Sequence, residues 1–303
     1  MTALAKKVDA IGLSSSNYIA ELEKSGFCIV RGLMPVRKVE ALHRDLKERF
    51  LRTPFCEGEF YGNHTKRFGG LLKRSEHAQD FVANDLIVQI AEGILGKFCD
   101  RIQLNFTQAI EIHPGSPLQA PHRDQDMWRG PTGDIEYLIN VMWPFTPYTR
   151  DNGATLIWEE SNHKQDTQVM NDEDAIAAEM NPGDVLIFLG SALHCAGANK
   201  TLRPRAGMVI SYCLGWLKPY ENQWLVYPPE TARRFSPEVA GLAGYRIHRP
   251  NIGNYEGRCP SILLRNDVPE FLGAVDELPP DVVEPLKIFN AMRAQKFAIS
   301  DKP

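Results

Sequence analysis

The sequence predicts an α+β chain with a mainly β core, in which helices from the first third pack against a jelly roll. Three observations predict it. Helical apolar spacing is confined to residues 14–100, and β-rich segments with alternating character crowd 101–217. Turn signals (HPGSP, RGPTGD, RDNG, NPGD, NKTLRP) punctuate those segments at short intervals, without intervening helical patterns of the βαβ kind.

Taken in order, SSNYIAELEKS at 15–25 reads as a short helix entered through serines and an asparagine, and the apolar run inside SGFCIVRGLM reads as a strand. From Pro35 a helix is expected, since Val39, Leu42, Leu46 and Phe50 fall on one face and proline suits a helix start. Residues 51–73 are glycine-rich and irregular and read as a long loop. A second helix is expected over 76–95, with Phe81, Ile87, Ile90, Ala91 and Ile94 as its buried stripe and Gly96 as its end. Strands follow in IQLNFTQAIEI, EYLINVMWPF, ATLIW, DVLIFLG and GMVISYCLGW. Beyond Trp216 the chain is proline-rich. One short helix is expected in YPPETARRFSPEVAGLAGY and another in DELPPDVVEPLKIFNAMRAQKF. The whole of 1–303 is read as one domain: a helical support at 14–100, a catalytic jelly roll at 101–217, and an extension at 218–303 that acts as lid or interface.

Composition narrows the function classes. Of 303 residues 43% are hydrophobic and 24% charged, enough to bury a core without disulfide or metal staples. A net charge of -4 gives no electrostatic reason to expect nucleic acid or an anionic membrane as partner. The six cysteines are scattered without a CxxC pair, which argues against a disulfide scaffold or a structural zinc site. MTALAKKVDAIGLSSS lacks a signal-peptide apolar run, and no stretch of about 18 apolar residues occurs, so a cytoplasmic protein is expected. Its oligomeric state is expected to be monomer or homodimer.

The chemistry starts at PHRDQD, residues 121–126. In an extended segment His122 and Asp124 project to one side while Arg123 projects to the other, so imidazole and carboxylate can grip one cation together. Of the eight histidines, His194 is the best third ligand, because the apolar strand segment NPGDVLIFLGSAL before it leads toward a barrel interior. Two histidines and a carboxylate on one octahedral face suit non-haem iron(II) and leave positions for a bidentate oxo-acid and dioxygen. Arg205, after the polar turn GANKTLRP, is expected to open the next strand beside the one bearing His194. Its forked guanidinium matches the far carboxylate of a dicarboxylic co-substrate.

Alone, each piece is common. The ordered series TKRFGGLL, LQAPHRDQD, NVMWPFTPYTRDNGATLIWEESNH, PGDVLIFLGSALHCAGAN, Arg205 and LGWLKPYENQW resembles the phytanoyl-CoA dioxygenase family over roughly residues 15–260. That resemblance implies a double-stranded β-helix, the cupin-like form of the jelly roll, with iron(II) on His122, Asp124 and His194, and 2-oxoglutarate and dioxygen as co-substrates. It implies that Arg205 pairs with the distal carboxylate, and that Gln119, Thr155 and Asn140 face or contact the co-substrate. EESNH stands where many members read PGSH, which alters a loop rim. His163 in that loop is read as structural. With aspartate at 124, halogenation, which needs a small residue there, is not expected.

The reaction implied is hydroxylation of an unactivated C–H in a small, largely hydrophobic metabolite. Desaturation, epimerisation and rearrangement share the chemistry. Met127, Trp128, Trp143, Phe188 and Trp216 are close in sequence to the ligands and are candidates for an apolar substrate wall, with Arg67 for a substrate carboxylate. Two rivals stay open: another cupin-type metalloenzyme without 2-oxoglutarate, and a jelly-roll binding module with a lapsed metal site.

Overall fold

The computed structural model describes residues 8–9, 14–164 and 171–300. A two-residue strand β1 (Val8–Asp9) precedes helix α1 (Ser15–Ser25). Gly26 ends α1 at φ 83°, its N–H donating to the Leu22 carbonyl at 2.8 Å. A side chain there would be strained by that φ and would meet Asn162 Oδ1 at 2.9 Å. Strand β2 (Phe27–Val30) is buried throughout, and α2 (Val36–Arg52) buries Val39, Leu42, Leu46 and Phe50, the face its spacing gives.

Two expectations fail next, for different reasons. Within the supposed loop, β3 (Thr65–Gly69) forms a strand on the edge of β4 (Ile102–Ile112). TKRFG has weak strand character of its own, and cross-strand pairing supplies what local propensity does not. The supposed long helix splits into α3 (Ala78–Val82) and α4 (Asp85–Leu95). Asn84 makes the break, its side chain accepting from Ile87 N–H at 3.3 Å as an N-cap. The remaining strands are β5 (Leu138–Pro144), β6 (Thr155–Ile157), β7 (Ile176–Ala177), β8 (Val185–Leu189), β9 (His194–Ala196) and β10 (Arg205–Leu214).

Seven strands form one sheet in the order β1-β2-β8-β5-β10-β4-β3, and three form a second in the order β7-β6-β9. His122 bridges to His194 antiparallel and extends the second sheet. Helix α1 packs on α4, and α4 packs on β4, β5 and β10, covering one face of the large sheet. The fold class and the jelly roll therefore stand as expected. The strand opened by Arg205 is not beside the one bearing His194, however. β10 lies between β4 and β5 in the large sheet, while β9 pairs with β6 in the small one. The two residues face each other across the interior instead of along a ladder.

After β10 come short helices α5 (Gln223–Val226), α6 (Pro229–Ala232) and α7 (Pro237–Leu242), then α8 (Pro280–Ser300). The single helix expected in 227–245 is two, because Ser236 caps α7 by accepting from Val239 N–H at 3.2 Å. All six cysteines are free thiols. Among the described residues no helix is long and apolar enough to cross a membrane.

Candidate metal centre and the cavity around it

Alternation along β4 sends Phe106, Gln108, Ile110 and Ile112 to one face, while Thr107 and Ala109 point away. That face, with Met142 of β5, Phe188 of β8 and Val209 of β10, closes against Thr155 of β6 and His194 of β9 around a cavity of about 320 Å³. His122, Asp124 and His194 meet in its wall, with one ligand atom of each within 4.8 Å of the others. His122 Nε2 lies 3.5 Å from Asp124 Oδ1, and His194 Nε2 lies 3.6 Å from Asp124 Oδ2.

Local backbone aims these groups. His122 is in an extended stretch, but Asp124 already begins a 3-10 turn over Asp124–Trp128, so strand alternation holds only as far as Arg123. Arg123 Nε donates to the Ser191 carbonyl at 2.8 Å and so pins the turn to the segment that carries His194. His122 Nδ1 is 2.9 Å from the Ala120 carbonyl and His194 Nδ1 is 3.0 Å from the Ala192 carbonyl. Each Nδ1 therefore holds the ring proton and each Nε2 presents a lone pair.

Electrostatics agree. Burial pushes the His194 imidazolium down against the pull of Asp124, to about 4, so the ring is neutral at ordinary pH. Burial works against ionisation of Asp124, but the two imidazoles and the Asn140 side chain outweigh it and hold the carboxyl at about 2. Two imidazole nitrogens and one ionised carboxylate, without a thiolate, fit a metal of the non-haem iron(II) kind.

Three guanidiniums line the cavity: Arg123 is tied to the Ser191, Ser161 and Lys164 carbonyls, and the other two are Arg205 and Arg67. Arg205 is 2% exposed, donates through Nη2 to the Gly153 carbonyl, and sits 4.0 Å from the Tyr148 ring centre, while its Nε has no partner. Arg67 donates to Gln108 Oε1 at 3.2 Å and lies over Tyr61 at 4.8 Å, and its Nε is also unpartnered. Burial, with Arg205 adding to it, lowers the Arg67 proton affinity. Among the described residues neither has a carboxylate in ion-pair reach, although both are cations held from water. A buried charge without a counter-ion is costly, and an incoming carboxylate relieves it.

Of the other sequence candidates, Gln119, Thr155, Met127 and Phe188 line this cavity. Gln119 Oε1 accepts from Ala196 N–H at 3.1 Å, so its amide is oriented from β9. Asn140 is corrected: it lies behind Asp124, donating from Nδ2 to Oδ2 at 2.8 Å, and does not line the cavity. Three tryptophans are corrected too. Trp143 is fully buried against Phe81 on the helix-covered face of β5. Trp128 stacks near Tyr137 and donates to the Lys218 carbonyl, and Trp216 donates to the Phe98 carbonyl; neither reaches the cavity. Proximity in sequence misled here: Trp143 leaves β5 by the face opposite to that of Met142, while Trp128 ends a 3-10 turn and Trp216 lies beyond β10, where the chain has already turned away. His163 stands outside the cluster, its Nε2 2.8 Å from the Glu23 carbonyl.

Sequence reasoning missed Phe60, Tyr61, Phe106, Gln108, Ile110 and Tyr220 of the lining. Phe106, Gln108 and Ile110 were available from period-two alternation. Phe60, Tyr61 and Tyr220 come from irregular segments that carry no periodic signal. Phe60 packs edge-on to the His122 ring, and Tyr61 and Tyr220 share a short hydroxyl–hydroxyl hydrogen bond at the rim.

Comparison with known proteins bears on this site. The family model described as phytanoyl-CoA dioxygenase (PhyH) matches residues 22–207. Dioxygenase cdmD of Talaromyces verruculosus is 27% identical over 259 residues, covering 76% of this chain and 84% of that protein. Dioxygenase FrzG of a Cladobotryum species is 33% identical over 209 residues, covering 64% of this chain and 68% of that one. Among solved structures, the epimerase SnoN in complex with Fe3+, alpha ketoglutarate and nogalamycin RO superposes with a TM-score of 0.54. It is 17% identical over 67% of this chain and 84% of that one.

Proposed function

The chain belongs to the phytanoyl-CoA dioxygenase family and is an iron(II)- and 2-oxoglutarate-dependent dioxygenase; we propose that His122, Asp124 and His194 hold the iron and that Arg205 anchors the co-substrate. The single observation that carries the residue assignment is the convergence in one cavity of a three-ligand cluster and an unpaired buried guanidinium. When bound, iron(II) and 2-oxoglutarate supply oxidation of a substrate C–H by dioxygen, with release of succinate and carbon dioxide.

The chain's own groups do the rest. The Ala120 and Ala192 carbonyls fix both imidazole tautomers, and Asn140 holds Asp124 by Oδ2 so that its orientation does not drift. Arg205 fixes the far end of the dianion with a planar fork, and Thr155, on the opposing sheet, offers a hydroxyl beside it. Gln119, braced by Ala196, lines the same side. Arg67 is the second unpaired cation, and we assign it to a carboxylate oxygen of the anion held in this cavity. Phe60, Phe188, Met127 and Val209 keep water from the reacting centre and favour a small, largely hydrophobic metabolite. Hydroxylation of an unactivated C–H is the outcome proposed. The metal ligands and Arg205 are thus assigned to the catalytic core at 101–217, with Phe60 and Arg67 contributed by the support at 14–100 and 218–303 as lid or interface.

Anaerobic titration of the purified protein with iron(II) and 2-oxoglutarate tests the assignment. A weak visible absorption band is expected on forming the ternary complex, absent in Asp124→Ala and weakened in Arg205→Ala. A folded, iron-binding protein that gives no band on adding 2-oxoglutarate would overturn it.

A further inference from the structure

A second cavity of about 310 Å³ lies where the chain leaving β10 and the 241–253 segment close over the start of β4. It shares no lining residue with the metal cavity. Its walls carry the imidazole of His248 and three cations, Arg101, Lys218 and Arg246, and no carboxylate, in a chain whose net charge is -4. Leu217, Trp224 and Ile247 supply apolar surface between those cations.

The cations are not spent on each other's neighbours. Asp100 is held by Arg249 at 2.5 Å and reached by Arg101 at 3.6 Å. Among the described residues neither Arg246 nor Lys218 is in an ion pair. Arg246 donates from Nη2 to the Ile102 carbonyl at 2.7 Å, and its Nε has no partner. His248 Nε2 accepts from Asp100 N–H at 3.1 Å, which puts the ring proton on Nδ1, and that buried N–H is unpartnered as well. Burial first, then Arg101, lower the Arg246 proton affinity, with Glu92, Asp100 and Glu238 opposing. The space is kept by glycine: a Cβ on Gly244, at φ 92°, would come within 2.8 Å of Trp224 Nε1.

Unneutralised, partly desolvated cations beside apolar surface are what an amphipathic anion relieves. We propose that this cavity is a second small-molecule site, separate from the metal centre, that takes an organic carboxylate with an apolar body of ring size. The carboxylate meets Arg246, with Lys218 and Arg101 at the mouth, and the body lies against Leu217, Trp224 and Ile247. The site has a route to the other cavity. Lys218 and Pro219 line one side of the strip, and Tyr220, two residues from Lys218, lines the metal cavity and bonds to Tyr61. An occupied second site braces that strip.

The test uses the full chain without added iron, with 2-naphthoate as probe, 2-naphthylmethanol as its neutral analogue, and inorganic phosphate as an anion without a body. Calorimetry is expected to show saturable naphthoate binding that persists in saturating 2-oxoglutarate and in Arg205→Ala. Arg246→Met is expected to weaken it about tenfold. Since Arg246 also bonds to Ile102, Lys218→Ala is the second variant: its side chain makes no hydrogen bond among the described residues, and a severalfold loss with unchanged melting is expected. Amide exchange should slow across 215–226 and 241–253 when the probe is bound. Equal binding of the alcohol, or of phosphate, would overturn the proposal, and so would binding that is lost in Arg205→Ala yet intact in Arg246→Met.

Discussion

The two cavities are nearly equal in size, about 320 Å³ and about 310 Å³, but are made differently. The first is walled largely by strands of two facing sheets, so the pleat of β4 and β10 delivers alternate residues to it, and irregular segments close its rim. Its charges are of both signs, with the Asp124 carboxylate beside two imidazoles and the guanidiniums of Arg67, Arg123 and Arg205 in the same wall. The second is walled by turns, glycines and the ends of short helices, and its charges are all of one sign. Rigid strands can hold three ligand atoms to fixed distances. Loops can collect charge but do not aim it so narrowly, which suits recognition of an anion better than chemistry on it.

Substitutions probe that contrast from the strongest effect downward. Asp124→Ala should abolish turnover and iron(II) retention, read by succinate formation and by equilibrium dialysis, because no other described carboxylate joins the two imidazoles. Retained turnover would mean that geometry set by the sheets is not what makes the first cavity catalytic. Arg205→Ala should cost about 2–5 kcal/mol of 2-oxoglutarate binding, a KM rise of about a hundredfold, with iron affinity kept. Asn140→Ala should lower iron(II) affinity by about 10–100-fold without changing the ligand set, since it removes the bond that orients Asp124. An unchanged affinity would show that the 3-10 turn alone aims the carboxylate.

The smallest effect lies outside both cavities. Burial holds the Glu136 carboxyl up at about 7, against the lowering by hydrogen bonds from Ser191, so the folded chain keeps a proton that the unfolded chain releases near 4.5. Stability from this group is full at low pH, falls as pH rises from about 4.5 to 7, and is flat beyond. Glu136→Gln should remove that slope and stabilise the protein at pH 8 by about 1–2 kcal/mol, after discounting for partial exposure. Urea denaturation at pH 5 and pH 8 measures it.

The same contrast explains what the sequence made legible. α2 and the apolar strands were readable because 3.6- and 2-residue periods report burial directly. His122, Asp124, His194 and Arg205 are readable as an ordered set, although Arg205 reaches the cavity from the opposite sheet, not from an adjacent strand. β3 was invisible because its strand state is conferred by β4, and the α3–α4 break because Asn84 is an ordinary polar residue until it caps. Asn140 was placed near the site but given the wrong partner, since the sequence does not say which sheet layer a strand residue meets. The 217–253 cavity left no periodic trace at all.

The His122–His194 bridge has one more result. Each residue's N–H donates to the other's carbonyl at 3.0 Å, so the backbone has joined these distant stretches of chain before any cation arrives. Ordering costs are thus met by sheet formation, unlike the metal-induced folding of small zinc modules. Iron loss is therefore expected to be a reversible exchange at a site framed by backbone bonds, not an unfolding event.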